Sequence, residues 1–432
     1  MFFATLDRES RKPAQLKVVG IGGGGCNAVE SMIKRGLTGV EYIGINTDAQ
    51  VLFSNTGANI IQIGASVTRG LGAGADPKVG RKAAEEDRDK ITKMLEGSDM
   101  VFITAGMGGG TGTGGAPIVA SIAKSLGALV VGIVTKPFRW EGKKRMMNAE
   151  QGIQELRQYV DSLIVIPNER LLNILDVNTS ANEAFDKPNE VLFEATRGIA
   201  DIITIPGIIN VDFSDVRTVM SQSGEALMGC GTASGENRAV EAAQKAISSP
   251  LLEGVSIKGA KNILLNVSGS NSLNIHEIDE GNQVIYDAAG EEANVIFGWV
   301  NKAEMNESVS YTVIATGFET RKKNNEVTPP APAEKIVQPP PKPSASGYDF
   351  GSEKRSGLPK LEYKFNKADD LDIPTIRRVE GAKPIIPEES AFPQSRASSD
   401  KYSMNSNEDK RNQNQNNDDD DESSSFLKMM MD

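Results

Sequence analysis

Ten consecutive positions, Gly106-Met-Gly-Gly-Gly-Thr-Gly-Thr-Gly-Gly115, hold seven glycines. Glycine loses more backbone freedom on folding than any other residue, so an ordinary turn is not built this way. The run follows Met100 to Thr104, which reads as a short buried strand, and precedes a helical stretch. In such a passage the amides of the loop form an anion-binding nest, and those of the helix N-terminus point the same way. Thr111 and Thr113 add hydroxyl donors.

A second cluster, Gly20-Ile-Gly-Gly-Gly-Gly25, satisfies GxGxxG after the strand pattern Leu16 to Ile21 and before helical Ala28 to Lys34. Alone it fits a dinucleotide-binding turn, with Glu41 or Asp48 for the ribose, or a close-packing turn that binds nothing. Two glycine loops at the same end of neighbouring parallel strands form a cradle for a polyphosphate, and a single-loop dehydrogenase has no need of the second. The chain has no GxxxxGK[ST], so no Walker lysine serves the phosphates. Amides, a metal ion and Arg145 must neutralise them.

Further apolar runs at Val40 to Ile45, Ala128 to Thr135 and Ser162 to Ile166 alternate with helical stretches, notably Gly80 to Glu96 and Lys143 to Tyr159. That alternation predicts an α/β fold with a parallel sheet covered by helices. A long helical pattern follows, about 182–205, stopped by Pro206-Gly207. Beyond it a helix over 234–248 and strands near 262–268, 293–300 and 308–316 predict a second, smaller α/β domain.

After Gly317 the composition changes: 8 of the 20 prolines precede that point and 12 follow it. Sequence rich in proline, serine and charge cannot bury enough apolar area to offset chain entropy, so a disordered tail is expected over 319–432. The expected segments are a flexible 1–15, a nucleotide-binding domain 16–180, a central helix 181–206 and a C-terminal domain 207–318. A linker 319–370, a short motif 371–380 and an extension 381–432 complete the chain.

A net charge of −11 argues against a nucleic-acid partner, which would require a basic face. Cys26 and Cys230 make no CxxC and no Cys/His cluster, so neither a disulfide framework nor a protein-built metal site is expected. The single histidine, His276, has no nucleophile or metal partner in its neighbourhood and reads as a structural or surface residue. No stretch approaches the ~18 apolar residues of a membrane span, and no signal peptide is evident. A cytoplasmic location follows.

Taken together, Gly106 to Gly114, Gly22 to Asn27, Gly70-Leu-Gly-Ala-Gly-Ala-Asp-Pro77 and Asn210-Val-Asp-Phe-Ser-Asp215 resemble the tubulin/FtsZ family in order and spacing, through essentially all of 16–318. The resemblance implies a tubulin-like GTPase fold binding GTP or GDP, with Mg2+ held through the phosphates. By the same resemblance Gly22, Gly23, Gly24, Gly25 and Asn27 approach the phosphates and sugar. Gly106, Gly108, Gly109, Gly110, Thr111, Gly112, Thr113 and Gly114 wrap the phosphates, with Ala73 and Gly74 near the γ-phosphate. Glu141 and Arg145 contact the ribose and phosphate region, while Asn168, Phe185 and Asn189 hold the guanine. An amide recognises a purine edge and an aromatic stacks on its face. Two positions depart from many relatives: Asn189, where an aspartate is common, and Cys26, which reads as a small packing residue whose oxidation would block the pocket.

The loop carrying Asn210, Asp212 and Asp215 has two readings. Asp212 before a helix is what an N-cap looks like. The resemblance instead makes these residues the catalytic loop, placed at the far end of the subunit to face the next subunit's nucleotide. A site completed by a neighbour implies head-to-tail homopolymers, and the resemblance implies that these form a ring at the mid-cell division site, on the inner face of the membrane. Leu371-Asp-Ile-Pro-Thr-Ile-Arg-Arg378 resembles the family's peptide for membrane-tethering division adaptors, and other division proteins are expected partners. As a flexible coil, the linker before it has a reach of roughly 40 Å.

Overall fold

Leu16–Ile21 opens the fold as β1, with all six residues buried, and runs directly into α1 at Gly22–Lys34. The computed structural model describes residues 13–318, apart from 55–56, 174, 177, 206, 208, 210 and 253–256. Next come β2 (Glu41–Asn46), α2 (Ala49–Ser54), β3 (Asn59–Gln62), α3 (Ala65–Thr68), α4 (Pro77–Glu86) and α5 (Arg88–Leu95). The strand before the long glycine loop is β4 (Met100–Gly106), and the helix after it is α6 (Thr111–Ser125). Then follow β5 (Leu129–Lys136), α7 (Lys143–Leu156), β6 (Ser162–Pro167) and α8 (Asn168–Leu172).

The central helix α9, Ala181–Thr204, has 24 residues and spans about 36 Å at 1.5 Å per residue. Ser180 and Glu183 close its first turn as a reciprocal capping box. Of the expected stop signal, Pro206 lies outside the described residues. Beyond it are α10 (Phe213–Met220), β7 (Gly224–Ser234), α11 (Arg238–Ile247), β8 (Asn262–Gly269), α12 (Ile275–Ala289), β9 (Asn294–Asn301) and β10 (Ser308–Thr316).

Among the described residues the strands run in the order β3-β2-β1-β4-β5-β6-β7-β10-β8-β9. From β3 to β6 every pairing is parallel. The β6–β7 pairing is also parallel but covers only Ser162↔Gly224 to Ile164↔Ala226. Past that narrow join the sheet turns antiparallel at β7–β10 and β10–β8, then parallel again at β8–β9. The result is the expected two-domain α/β architecture.

Strand alternation sorts the core residues. Val18, Phe102, Val131 and Ile164 face α1 and α9, whereas Val19, Ile103, Val130 and Leu163 face the α4–α7 side. A separate cluster around Tyr311 holds β7 to β10 against α11 and α12.

Two expectations change. The helix expected over Gly80 to Glu96 is two helices, broken at Asp87. Its carboxylate accepts the Gly64 amide at 2.7 Å and pairs with Lys90 at 2.6 Å. Strand β7 has no counterpart in the sequence reading, because its glycines hide it. A Cβ at Gly229 would lie 2.1 Å from the Ala246 carbonyl oxygen, and one at Gly231 would lie 2.3 Å from that of Ala242, so α11 packs backbone to backbone on the strand.

Candidate functional site

Both glycine loops leave the C-terminal ends of adjacent hydrogen-bonded strands, with Gly20 opposite Thr104. Neither α1 nor α6 has a side-chain N-cap, and neither has an acidic residue in its first turn. Two sets of first-turn amides therefore converge on one place without a protein carboxylate to occupy them.

Glycine is what allows the loops to approach. At Gly22, φ is +72°, and a Cβ there would lie 2.7 Å from the Gly112 nitrogen. One at Gly24 would lie 3.3 Å from Gly106 Cα, and one at Gly110 would lie 2.6 Å from the Ala73 Cβ. Ala73 thus brings the 70–76 loop against the long glycine run, where Gly74 and Ala75 both have positive φ. Gly108, with φ +112°, packs against Arg145, whose Nε pairs with Glu141 at 3.1 Å. Glu141 also accepts the Phe138 amide at 2.7 Å and so fixes the turn Arg139–Glu141.

The two threonines of the loop are engaged inside the protein. Thr113 Oγ1 accepts the Gly108 amide at 2.8 Å, and Thr111 shares a 2.6 Å hydroxyl contact with Thr47. The sequence reading did not pick out Thr47, nor Thr104, which is buried with no hydrogen-bond partner for its hydroxyl. Their signal was position: polar residues ending parallel strands, where ligands of α/β sheets gather.

On the α1–α9 side, Asn168 starts α8 and is buried, and its Oδ1 has no partner. Phe185 stands at 82° to Trp140 and 87° to Phe138, which are themselves stacked at 5.4 Å. Asn189 is one turn further along α9 and its Nδ2 donates to Asp186 at 3.3 Å. Asn27 is half-buried on α1. A buried amide oxygen left unpaired at the same end of the sheet as an uncapped glycine cradle suits a ligand that brings N–H donors at one end and anionic oxygens at the other.

Cys26 is withdrawn from solvent, with its thiol 3.9 Å from the carbonyl oxygens of Gly20 and Ile45. Burial pushes its pKa up to about 12. The thiol is the packing group that the sequence reading expects, held protonated and away from oxidants.

Asp212 and Asp215 are not brought to the glycine loops. Asp212 is the N-cap of α10, its Oδ1 accepting the Asp215 amide at 2.9 Å, and both residues are exposed. Arg217 on the same helix donates to the Asp99 carbonyl at 3.2 Å, beside the start of β4. The glycine loop leaves the other end of that strand, about 23 Å away at 3.3 Å per residue. Asn210 lies outside the described residues, as do the linker 319–370, the motif 371–380 and the extension 381–432. His276 is exposed on α12.

Among the described residues no group of three or more His, Cys, Asp or Glu side chains is gathered as a metal site, and no helix is long and apolar enough to cross a membrane.

The GTPase domain of the tubulin/FtsZ family matches residues 15–176, and the C-terminal domain of the FtsZ family matches 224–319. The chain is similar to an empty FtsZ dimer from M. jannaschii at 42% identity and a TM-score of 0.69, covering 72% of this chain and 91% of that one. It is also similar in fold to two proteins of Haloferax volcanii. A GDP-bound CetZ1 monomer has 24% identity and a TM-score of 0.62 over 71% of this chain and 95% of that one. A GTPγS-bound CetZ2 protofilament has 19% identity and a TM-score of 0.61 over 71% and 94%.

Proposed function

The chain belongs to the tubulin/FtsZ family and is a GTPase, and from that premise we propose that it hydrolyses GTP at junctions between consecutive copies of itself. The observation that carries this reading is that the glycine cradle lies at the C-terminal end of β4, whereas α10, which starts with Asp212 and Asp215, reaches the strand's other end through Arg217. A second copy stacked head to tail supplies its acidic loop to the first copy's cradle. Such a contact is heterologous and propagates into a filament.

In this reading Gly22 to Gly25, Asn27, Ala73, Gly74 and Gly106 to Gly114 hold the phosphates through backbone amides. Glu141 and Arg145 contact the ribose and phosphate region, and Asn168, Phe185 and Asn189 hold the guanine. Phosphoryl transfer to water needs a positioned nucleophile and compensation of charge rather than a covalent intermediate. Asp212 and Asp215 of the neighbouring copy, with Asn210, orient the water that attacks the γ-phosphorus as the bond to the β-phosphate oxygen breaks. A Mg2+ ion, bound through the nucleotide rather than by a cluster of protein carboxylates, would supply charge neutralisation there. Loss of the γ-phosphate at the junction then couples hydrolysis to filament turnover.

The identity to FtsZ supports a role in cell division, with filaments forming a cytokinetic ring at mid-cell on the cytoplasmic face of the membrane. We place the domain limits at 16–180, 181–206 and 207–318. The linker 319–370 then tethers the filament through 371–380 to a membrane-anchored adaptor.

Phosphate release against protein concentration tests the core of the proposal. A shared site gives a threshold at the concentration where pelletable polymer appears. Release that rises linearly from zero protein, with no threshold, would place the whole site in one subunit.

A further inference from the structure

Guanine presents two adjacent donors on one edge, the ring N1–H and the 2-amino group, so a residue that selects it must offer an acceptor. A carboxylate does so in either orientation. Asn189 does so only with its Oδ1 turned to the base, because the other end of the amide is itself a donor.

We infer that Asp186 is a positioning residue that fixes the Asn189 amide with its acceptor toward the base and so sets guanine selectivity. The inference rests on the reading that Asn189 contacts the guanine. Asp186 and Asn189 are three residues apart on α9, and Asn189 Nδ2 lies 3.3 Å from Asp186 Oδ1. An ionised carboxylate only accepts, so the atom that meets it must be the amide nitrogen, and Oδ1 is left for the ligand.

The carboxylate is held in turn. Its other oxygen, Oδ2, pairs with Arg35 at 2.9 Å. Arg35 ends α1, where its Nε donates to Ser31 Oγ at 3.1 Å and its guanidinium lies 5.8 Å from the centre of the Phe193 ring. One oxygen of Asp186 is thus spoken for by Arg35 and the other by the Asn189 amide. The arrangement links the end of α1, the helix that starts at the first glycine loop, to the first turns of α9. Phe185 sits four residues before Asn189 and shares its helix face.

The test compares GDP with xanthosine diphosphate, in which an oxygen acceptor replaces the 2-amino donor. Diphosphates keep assembly out of the measurement. In Asp186→Ala the Asn189 amide is free to turn, and its nitrogen then favours the xanthine oxygen. The GDP-to-xanthosine-diphosphate affinity ratio is expected to fall about tenfold by isothermal titration, with total binding largely kept. Adding Asn189→Asp to that variant should restore the ratio, because a carboxylate needs no orienting. Asp186→Asn, which keeps shape but can present either donor or acceptor, should give an intermediate ratio. A loss shared equally by both nucleotides is a structural effect and overturns the inference, as does a ratio unmoved in both Asp186 variants. Failure of the unmutated chain to bind GDP at all overturns the site assignment itself.

Discussion

Asp201 on the central helix and Lys302 just after β9 are joined by a 2.5 Å ion pair, with only 5% and 12% of their side chains exposed. The pair ties α9 to the sheet of the C-terminal domain, next to the Asn266 amide, which donates to the Gly198 carbonyl at 3.1 Å. Removing one member of such a pair leaves an uncompensated buried charge, which costs about 3–5 kcal/mol, whereas replacing both with apolar groups costs far less. Lys302→Ala should lower the urea midpoint of unfolding sharply. Asp201→Leu combined with Lys302→Met should recover most of the loss. A double variant as unstable as the single would show that the pair is not a coupled unit.

Gly110 is a position where a side chain would intrude directly on the contact between the long glycine run and the 70–76 loop of the cradle. A Cβ there lies 2.6 Å from Ala73 Cβ and 3.0 Å from the Asp76 nitrogen, inside van der Waals contact. Gly110→Leu must push the 70–76 loop away or displace the start of α6, and either removes amides from the phosphate site. The expected outcome is GTP affinity reduced more than a hundredfold in a protein whose circular dichroism is unchanged. Unchanged affinity in the folded variant would exclude this loop from the site.

How much of this was legible beforehand follows from what kind of signal each element carries. The glycine loops were legible because Gly106 to Gly115 is improbable for any other purpose, and β1, β4, β5 and β6 because both faces of a parallel strand are buried and read as apolar runs. The C-terminal half was harder. Gly229 and Gly231 break the pattern of β7, and their reason, the backbone of α11 lying on them, is visible only in three dimensions. The break at Asp87 depends on a contact with Gly64, 23 residues earlier. The Thr47–Thr111 contact likewise joins residues 64 apart, so no local pattern announces it.

Cys26 is expected to be chemically silent in the folded protein. Burial holds its thiol protonated, with a pKa raised to about 12, and Cys230 is raised to about 11 for the same reason. In the folded chain the thiolate appears only as pH rises toward those values, well above the ordinary thiol range. Alkylation by iodoacetamide at pH 8 should therefore be slow for both residues and should speed up by orders of magnitude in denaturant. Rapid native-state labelling of Cys26 would mean that the first glycine loop opens far more readily than its packing indicates.

The separation of cradle and acidic loop makes a prediction about two dead proteins. Asp212→Asn keeps the cap on α10, since asparagine caps as well as aspartate, but removes the carboxylate. Its cradle is intact, so it should bind GTP and hydrolyse it at least a hundredfold more slowly. Gly110→Leu has the opposite defect, a ruined cradle with an intact acidic loop. In a head-to-tail filament of both, the cradle at each junction comes from one protein and the loop from the next. Of the four junction types, one joins the good cradle of Asp212→Asn to the good loop of Gly110→Leu, so at equal mixing about a quarter of junctions regain a whole site. Mixing the two inactive preparations should restore phosphate release well above the sum of the separate rates. A site contained within one subunit permits no rescue. Co-pelleting of both variants without any gain in phosphate release would remove the shared site, because mixed junctions would then exist and remain inert.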